Sequence, residues 1–255
     1  MNRQLIVIAS ALVLVLTLGI GGETVAFAVE ISPAVDRTTT VNWRILRTPQ
    51  NATNAYWSNG GFWQAEEDGK MSFLVCDAQA DITGELRLGN MTVTTNDTMI
   101  ARDLALGVWG VVEFSPGLFI KISSEHIAEL NNTAYASAQR VAWNYLNGTM
   151  LSYYDNLTLD DIEHECIVFE YQQDPTAAGT PQHTTLVYNI STGVLVYANT
   201  SYYLGESFKP YVFEIEFLSI DYTGTMPGLL IGLTIVMLVS VAAVALVMME
   251  KRKMF

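Results

Sequence analysis

Few residues in this chain have both the type and the spacing that chemistry needs. There are two cysteines, Cys76 and Cys166, and three histidines, His126, His164 and His183. His164 and Cys166 are two apart, so on a strand they share a face and could both touch one metal ion. Two ligands do not make a site, and the chain offers no second spaced pair. The run Asp160-Asp161-Ile162-Glu163 lacks the spaced oxygen ligands and central glycine of a calcium loop, so it reads as a solvated charge run. No Gly-X-Ser-X-Gly elbow, phosphate-cradling glycine loop or His-Glu-X-X-His motif occurs. The expectation is therefore a protein with no catalytic residues, no metal and no cofactor. For an exported domain, Cys76 and Cys166 are expected to form one disulfide, closing a loop of about 90 residues and worth about 3 to 4 kcal/mol. Two buried thiols are the alternative.

A second set of residues points to a modification instead. Eight Asn-X-Ser/Thr sequences occur, at Asn51, Asn90, Asn96, Asn131, Asn147, Asn156, Asn189 and Asn199. Their number favours a surface that meets a glycosylation machinery, so all eight are candidate N-glycosylation sites. Charge agrees with an exposed domain. The chain carries 26 acidic and 13 basic side chains, a net charge of −13. Between Ile31 and Gly224 the balance is 23 acidic against 9 basic, a field that repels phosphate backbones and excludes nucleic acid as a partner.

The elements that would hold this surface in place lie at the two ends. Pro227 to Met249 is 23 residues without a charge, followed by Glu250 and Lys251-Arg252-Lys253. At about 1.5 Å per residue it covers the ~30 Å core of a bilayer. The basic cluster keeps the C-terminus in the cytoplasm. The chain begins with Arg3, an apolar stretch from Leu5 to Gly22, and Ala26-Phe27-Ala28, the three parts of a secretory signal. The expected organisation is a signal peptide at 1–28, with retention as a signal anchor the alternative, and an extracellular domain at 29–224. A transmembrane helix at 227–249 and a cytoplasmic tail at 250–255 complete it. The expected location is the cell membrane, single-pass, with the domain outside.

Within the outer domain the apolar period is mostly two. Val41, Trp43 and Ile45 predict a strand near 39–47. Ile82, Leu86 and Leu88 predict another, with Gly89-Asn90 turning into Met91. Ile162 to Gln172 has apolar residues on both parities, as for a strand covered on both sides. Residues 185–202 predict a hairpin about Ser191-Thr192-Gly193, with Leu195 outward and Val196 in the core. Tyr211, Phe213, Ile215 and Phe217 predict the closing strand. The period becomes helical once, over 125–145, where Ile127, Leu130, Ala134, Ala138, Val141 and Tyr145 line one face. Leu104 to Ile122 is apolar but broken by Gly107, Gly110 and Pro116-Gly117. It is expected to form a buried strand pair or a flap over an apolar cavity.

This order of signal, acidic β-rich domain and C-terminal helix with basic flank resembles archaeal cell-surface proteins with a C-terminal membrane anchor. LVYNISTGVLVYANTSYY and YVFEIEFLSIDY are similar to the closing part of domains attached to such anchors. They resemble less closely the hairpins of curved half-barrels that carry lipids or lipoproteins across an envelope. The resemblance implies no particular site residue.

The expected fold is α+β: a curved, half-barrel-like antiparallel sheet with one long packing helix, followed by the transmembrane helix. The alternative is a two-sheet β-sandwich. The expected function is a membrane-anchored surface module for binding or structure, with the membrane and a membrane-protein or surface partner as its contacts. A carrier of apolar ligand, with lipid as partner, is the first alternative and an envelope hydrolase the second.

Overall fold

A computed structural model describes residues 35–49, 57–58, 61–78, 81–109, 112–139, 147–175, 180–203 and 211–222. Among these residues nine strands form: β1 Thr39–Arg47, β2 Lys70–Asp77, β3 Thr83–Leu88, β4 Met91–Asn96, β5 Gly148–Leu159, β6 Ile162–Gln173, β7 Thr180–Asn189, β8 Leu195–Tyr203 and β9 Tyr211–Tyr222. Two helices, α1 Asp97–Asp103 and α2 Ser124–Ala138, lie between β4 and β5. All strands join one antiparallel sheet in the order β4-β3-β2-β1-β9-β8-β7-β6-β5. The domain is α+β with a single open sheet, and the two-sheet sandwich is not what forms.

The topology is two meanders, β1 to β4 and β5 to β9, zipped together where β1 pairs with β9 from Thr39↔Tyr222 to Arg47↔Glu214. Consecutive strands β4 and β5 therefore stand at opposite edges, eight strand spacings or about 38 Å apart along the sheet. The chain between them has to cross a whole face. It does so as α1 against β4, an irregular segment, and α2 against β5 and β6. The crossing face is the core.

Leu104, Leu106, Trp109, Phe114, Leu118 and Ile120 are thus buried while Val112 stays exposed, but the described residues of 104–122 are not the expected strand pair. Among the described residues their one ladder contact is an isolated bridge, Phe119↔Val194. Positive φ at Ala105 (55°), Val108 (62°) and Gly117 (86°) turns the backbone out of any strand. Two sheet side chains hold this segment down: Tyr188 Oη donates to Gly117 O at 2.7 Å, and Tyr211 Oη donates to Leu104 O at 3.0 Å. Within the sheet, β1 and β8 are tied by Trp43 Nε1 donating to Leu195 O.

Rings fill the space between sheet and crossing segment. Trp109 stacks on Tyr171 at 4.5 Å and meets Phe114 at 4.7 Å; Phe114 reaches Phe169 at 5.3 Å, and Phe169 reaches Tyr188. Phe119 lies between Trp43 and Phe73. Trp43, Trp63 and Trp109 are fully buried. Each such side chain removes a large apolar area from water, so this layer dominates the hydrophobic stabilisation.

Helix α2 starts one residue earlier than expected, with Ser123 as its cap: Ser123 Oγ accepts from His126 N at 3.2 Å. Ile127, Ala134 and Ala138 are buried, and Leu130 packs on the same core. It ends at Ala138; Val141 and Tyr145 lie outside the described residues. Helix α1 is capped by Asn96, whose Oδ1 accepts from Met99 N at 2.7 Å.

The expected signal at 1–28, span at 227–249, tail at 250–255 and acceptor Asn51 also lie outside the described residues. Among the described residues no helix is long and apolar enough to cross a membrane.

Candidate binding surface

The face opposite the core carries a second, smaller apolar cluster: Cys166, Val168, Val187 and Val196, with Leu157, Leu159, Tyr197 and Phe217 against it. Leu157 and Leu159 belong to the far end of β5, yet Phe217, which packs on the main core as well, is on β9, four strands away. His164 on β6 also meets the Phe217 ring at 6.0 Å. Flat strands would hold β6 and β9 about 14 Å apart. The β5–β6 ribbon therefore curls over the outer face and makes its own small core there. This accounts for the two-sided burial of β6: even-numbered residues face the ribbon cluster, odd-numbered ones the main core.

The ribbon turns at Asp160-Asp161, both with positive φ (47° and 64°), the geometry of a two-residue hairpin turn. What reads in sequence as a solvated charge run is this turn. Near the base of the ribbon, Glu170 on β6 accepts from Tyr153 Oη and pairs with His183 Nε2 at 3.4 Å. Toward the sheet centre, Tyr197 Oη donates to Glu214 Oε1 at 2.7 Å, and burial, with Glu214 adding to it, pushes its phenol up to about 12. Arg44 pairs with Glu216; the hydrogen bond from Arg44 to Glu216 raises the guanidinium further, and Asp160 and Asp68 add to the effect. An open groove of about 450 Å³ lies at the bend, lined by Tyr154, Asp155, Asn156, Glu165, Cys166 and Ile190.

A carboxyl group is also buried on the core side. Asp97, the first residue of α1, is buried, and the backbone N–H groups of Thr98, Asp97 itself and Phe119 point at its carboxyl. A side chain on Gly117 would collide with its Oδ2. Burial pushes this carboxyl up to about 7 against the pull of those donors. It ties the start of α1 to the crossing segment.

The cysteines do not pair. Cys76 is exposed on β2 and Cys166 is buried on β6, both free. Five strand spacings separate β2 from β6, on the order of 20 Å, whereas a disulfide needs Cα atoms within about 7 Å. The expected disulfide is corrected on that ground, and so is the alternative of two buried thiols. His164 and Cys166 do share a face, but Cys166 Sγ donates to His164 O and His164 Nδ1 meets Asn189 Nδ2 at 3.1 Å.

The acceptor asparagines differ in what their side chains already do. Asn189 is 7% exposed; its Oδ1 accepts from the backbone and hydroxyls of Ser191 and Thr192, which shapes the β7–β8 turn. Asn147 is also buried. Asn131 Oδ1 accepts from Ser152 Oγ, Asn96 caps α1, and Asn90 Oδ1 accepts from Gln64 N at 2.9 Å. Asn156 is exposed and donates to Glu163 Oε1 at 2.7 Å; Asn199 is half-buried on the outer face of β8.

The β7–β8 hairpin also corrects a face assignment. Val187 pairs with Tyr197 but Tyr188 with Leu195, so Val196 is the extra residue of a β-bulge. Leu195 thereby joins the main core and Val196 the outer cluster. Sequence reasoning missed β5 altogether; its signal was the alternation Leu151, Tyr153, Leu157, Leu159, interrupted by Asp155. No protein family, no curated protein and no solved structure matches this chain.

Proposed function

We propose that this chain is a membrane-anchored, glycosylated cell-surface module that binds a partner through its sheet and performs no catalysis. The apolar stretch at 227–249 with its basic flank, the signal-like start at 1–28 and the acceptor asparagines between them support the anchored, outward-facing arrangement. One observation carries the choice of a binding module over a lipid carrier. The core side of the sheet, where a carrier would keep room for acyl chains, is occupied by Trp109, Phe114, Phe119 and the rings they pack on.

Two measurements test this reading. Protease added to intact cells is expected to remove the outer domain and spare the tail at 250–255; digestion of the tail from outside would end the topology. The domain can also be released from membranes through a protease site inserted after Tyr222 and weighed by native mass spectrometry. Protein plus glycan is the expected mass. Lipid retained at fixed stoichiometry would make the carrier the better reading.

A further inference from the structure

The two edges of the sheet are unlike. β4 has six residues and runs directly into α1, whereas β5 has twelve and pairs with β6 at every position from Gly148↔Gln173 to Leu159↔Ile162 without a register shift. Exposed edges are ordinarily blunted by brevity, proline, lysine or a bulge. β5 is long and has no proline, lysine or bulge; its one charge is Asp155, whose Oδ1 accepts from Asn156 N at 2.8 Å. Among the described residues no strand pairs with its free edge. Helix α2 meets β5 where Asn131 accepts from Ser152; the next residues, Tyr153 (42% exposed) and Tyr154 (64%), stand out on opposite faces of the ribbon.

The charge around this edge has one sign. The ribbon carries Asp155, Asp160, Asp161, Glu163, Glu165 and Glu170, and residues 141–208 contain no Lys or Arg at all. A second copy pairing edge to edge would set Asp155 and its neighbours against themselves, and an anionic lipid surface would be repelled. A cationic strand meets neither obstacle.

We infer that β5 is a docking edge for an extended, lysine- or arginine-rich segment of a partner protein, which adds to the sheet as a tenth strand. Main-chain hydrogen bonds to the free edge give the affinity, as in other strand additions. Basic side chains at alternate positions of the added strand reach Asn156, Glu163 and Glu165 on one face, while apolar ones rest on Tyr153 and Leu151 on the other. Opposite charge steers the encounter and makes it salt-sensitive. The edge must be unglycosylated at Asn156 to accept a strand, and that amide is already held by Glu163. This inference rests on the reading of the chain as a binding module.

The test uses the full chain in detergent micelles and three synthetic peptides: one alternating lysine with valine, its glutamate counterpart, and the lysine peptide with N-methylated backbone amides. Affinity is read by fluorescence anisotropy and the site by hydrogen exchange. The lysine peptide is expected to bind and to slow exchange in 151–159, with the other two at least about tenfold weaker. Tyr154→Lys and Glu165→Lys, both at exposed positions, are each expected to weaken it about tenfold, more at low salt. Equal binding by the N-methylated peptide, protection confined to residues outside β5, or a glycan found on Asn156 of the native protein would each overturn the docking edge while leaving a binding module standing. Lipid retained on the core side would instead remove the module itself.

Discussion

Replacing Asp97 with asparagine should flatten part of the pH dependence of stability. An aspartate in an unfolded chain titrates near 3.8, and in the folded domain burial pushes Asp97 up to about 7. Below both values each state holds the proton and the group is neutral to folding. Between them the folded state alone is protonated, so each pH unit climbed costs about 1.4 kcal/mol of stability. Over the gap this sums to about 4 kcal/mol, present in acid and lost as pH rises to about 7. In the Asp97→Asn variant there is no charge to bury and an amide oxygen remains for the N–H groups of Thr98 and Phe119, so the contribution of this position should not vary with pH. Thermal unfolding followed by tryptophan fluorescence, at constant ionic strength from about pH 4 to 8, reads the difference between the two proteins. At about 2–4 °C per kcal/mol for a domain of this size, Asp97→Asn should gain about 10 °C on the wild type between the ends of that range. Titration of the other acids is common to both proteins and cancels in this difference. Parallel curves would show that Asp97 is ionised in the folded domain, and the argument from burial would be wrong.

Three further outcomes follow from particular residues. Asp161→Gly should stabilise the domain by about 0.5 to 1 kcal/mol in denaturant titrations, because φ of 64° strains an aspartate and suits glycine; a loss of stability would mean the Asp161 side chain has a role of its own. A thiol reagent should label Cys76 in the native protein and Cys166 only after unfolding, since burial pushes the Cys166 thiol up to about 11; a protein with no free thiol would contradict the strand order. Leu195→Ala should cost about 2 to 4 kcal/mol and more than Val196→Ala, because Leu195 lies in the aromatic core and Val196 in the small outer cluster; the reverse order would remove the bulge.

What could be read from the residues was local. The turn at Gly89-Asn90, the β7–β8 hairpin and the alternation of β9 depend on neighbours in sequence, and each stands where its pattern puts it. What escaped depends on partners far along the chain. Period-two apolarity is indifferent to strand order, so it could not reveal that β1 pairs with β9 and that Cys76 and Cys166 are thereby driven apart. The apolar run 104–122 has the composition of strands, but its function is to cross a sheet whose ends had no counterpart in the local pattern. A single extra residue at Val196 exchanges inside and outside without altering the alternation of residue types. The ribbon was hidden for a similar reason: Asp155 interrupts β5, and two adjacent aspartates look like solvated charge until their φ values show a turn.

The pairing of β9 between β1 and β8 has a mechanical consequence. For a chain tethered beyond Tyr222, tension enters along a central strand rather than at an edge. It is opposed on one side by the ladder to β1 and on the other by the ladder to β8. A pull parallel to the strands loads these hydrogen bonds in shear, many at once, instead of opening them one after another. A partner held at the β5 edge would pass its force through the β6, β7 and β8 ladders before reaching the tether. The same topology that forces the chain to cross its own sheet would thus place any tether beyond Tyr222 on a strand held by a ladder on each side.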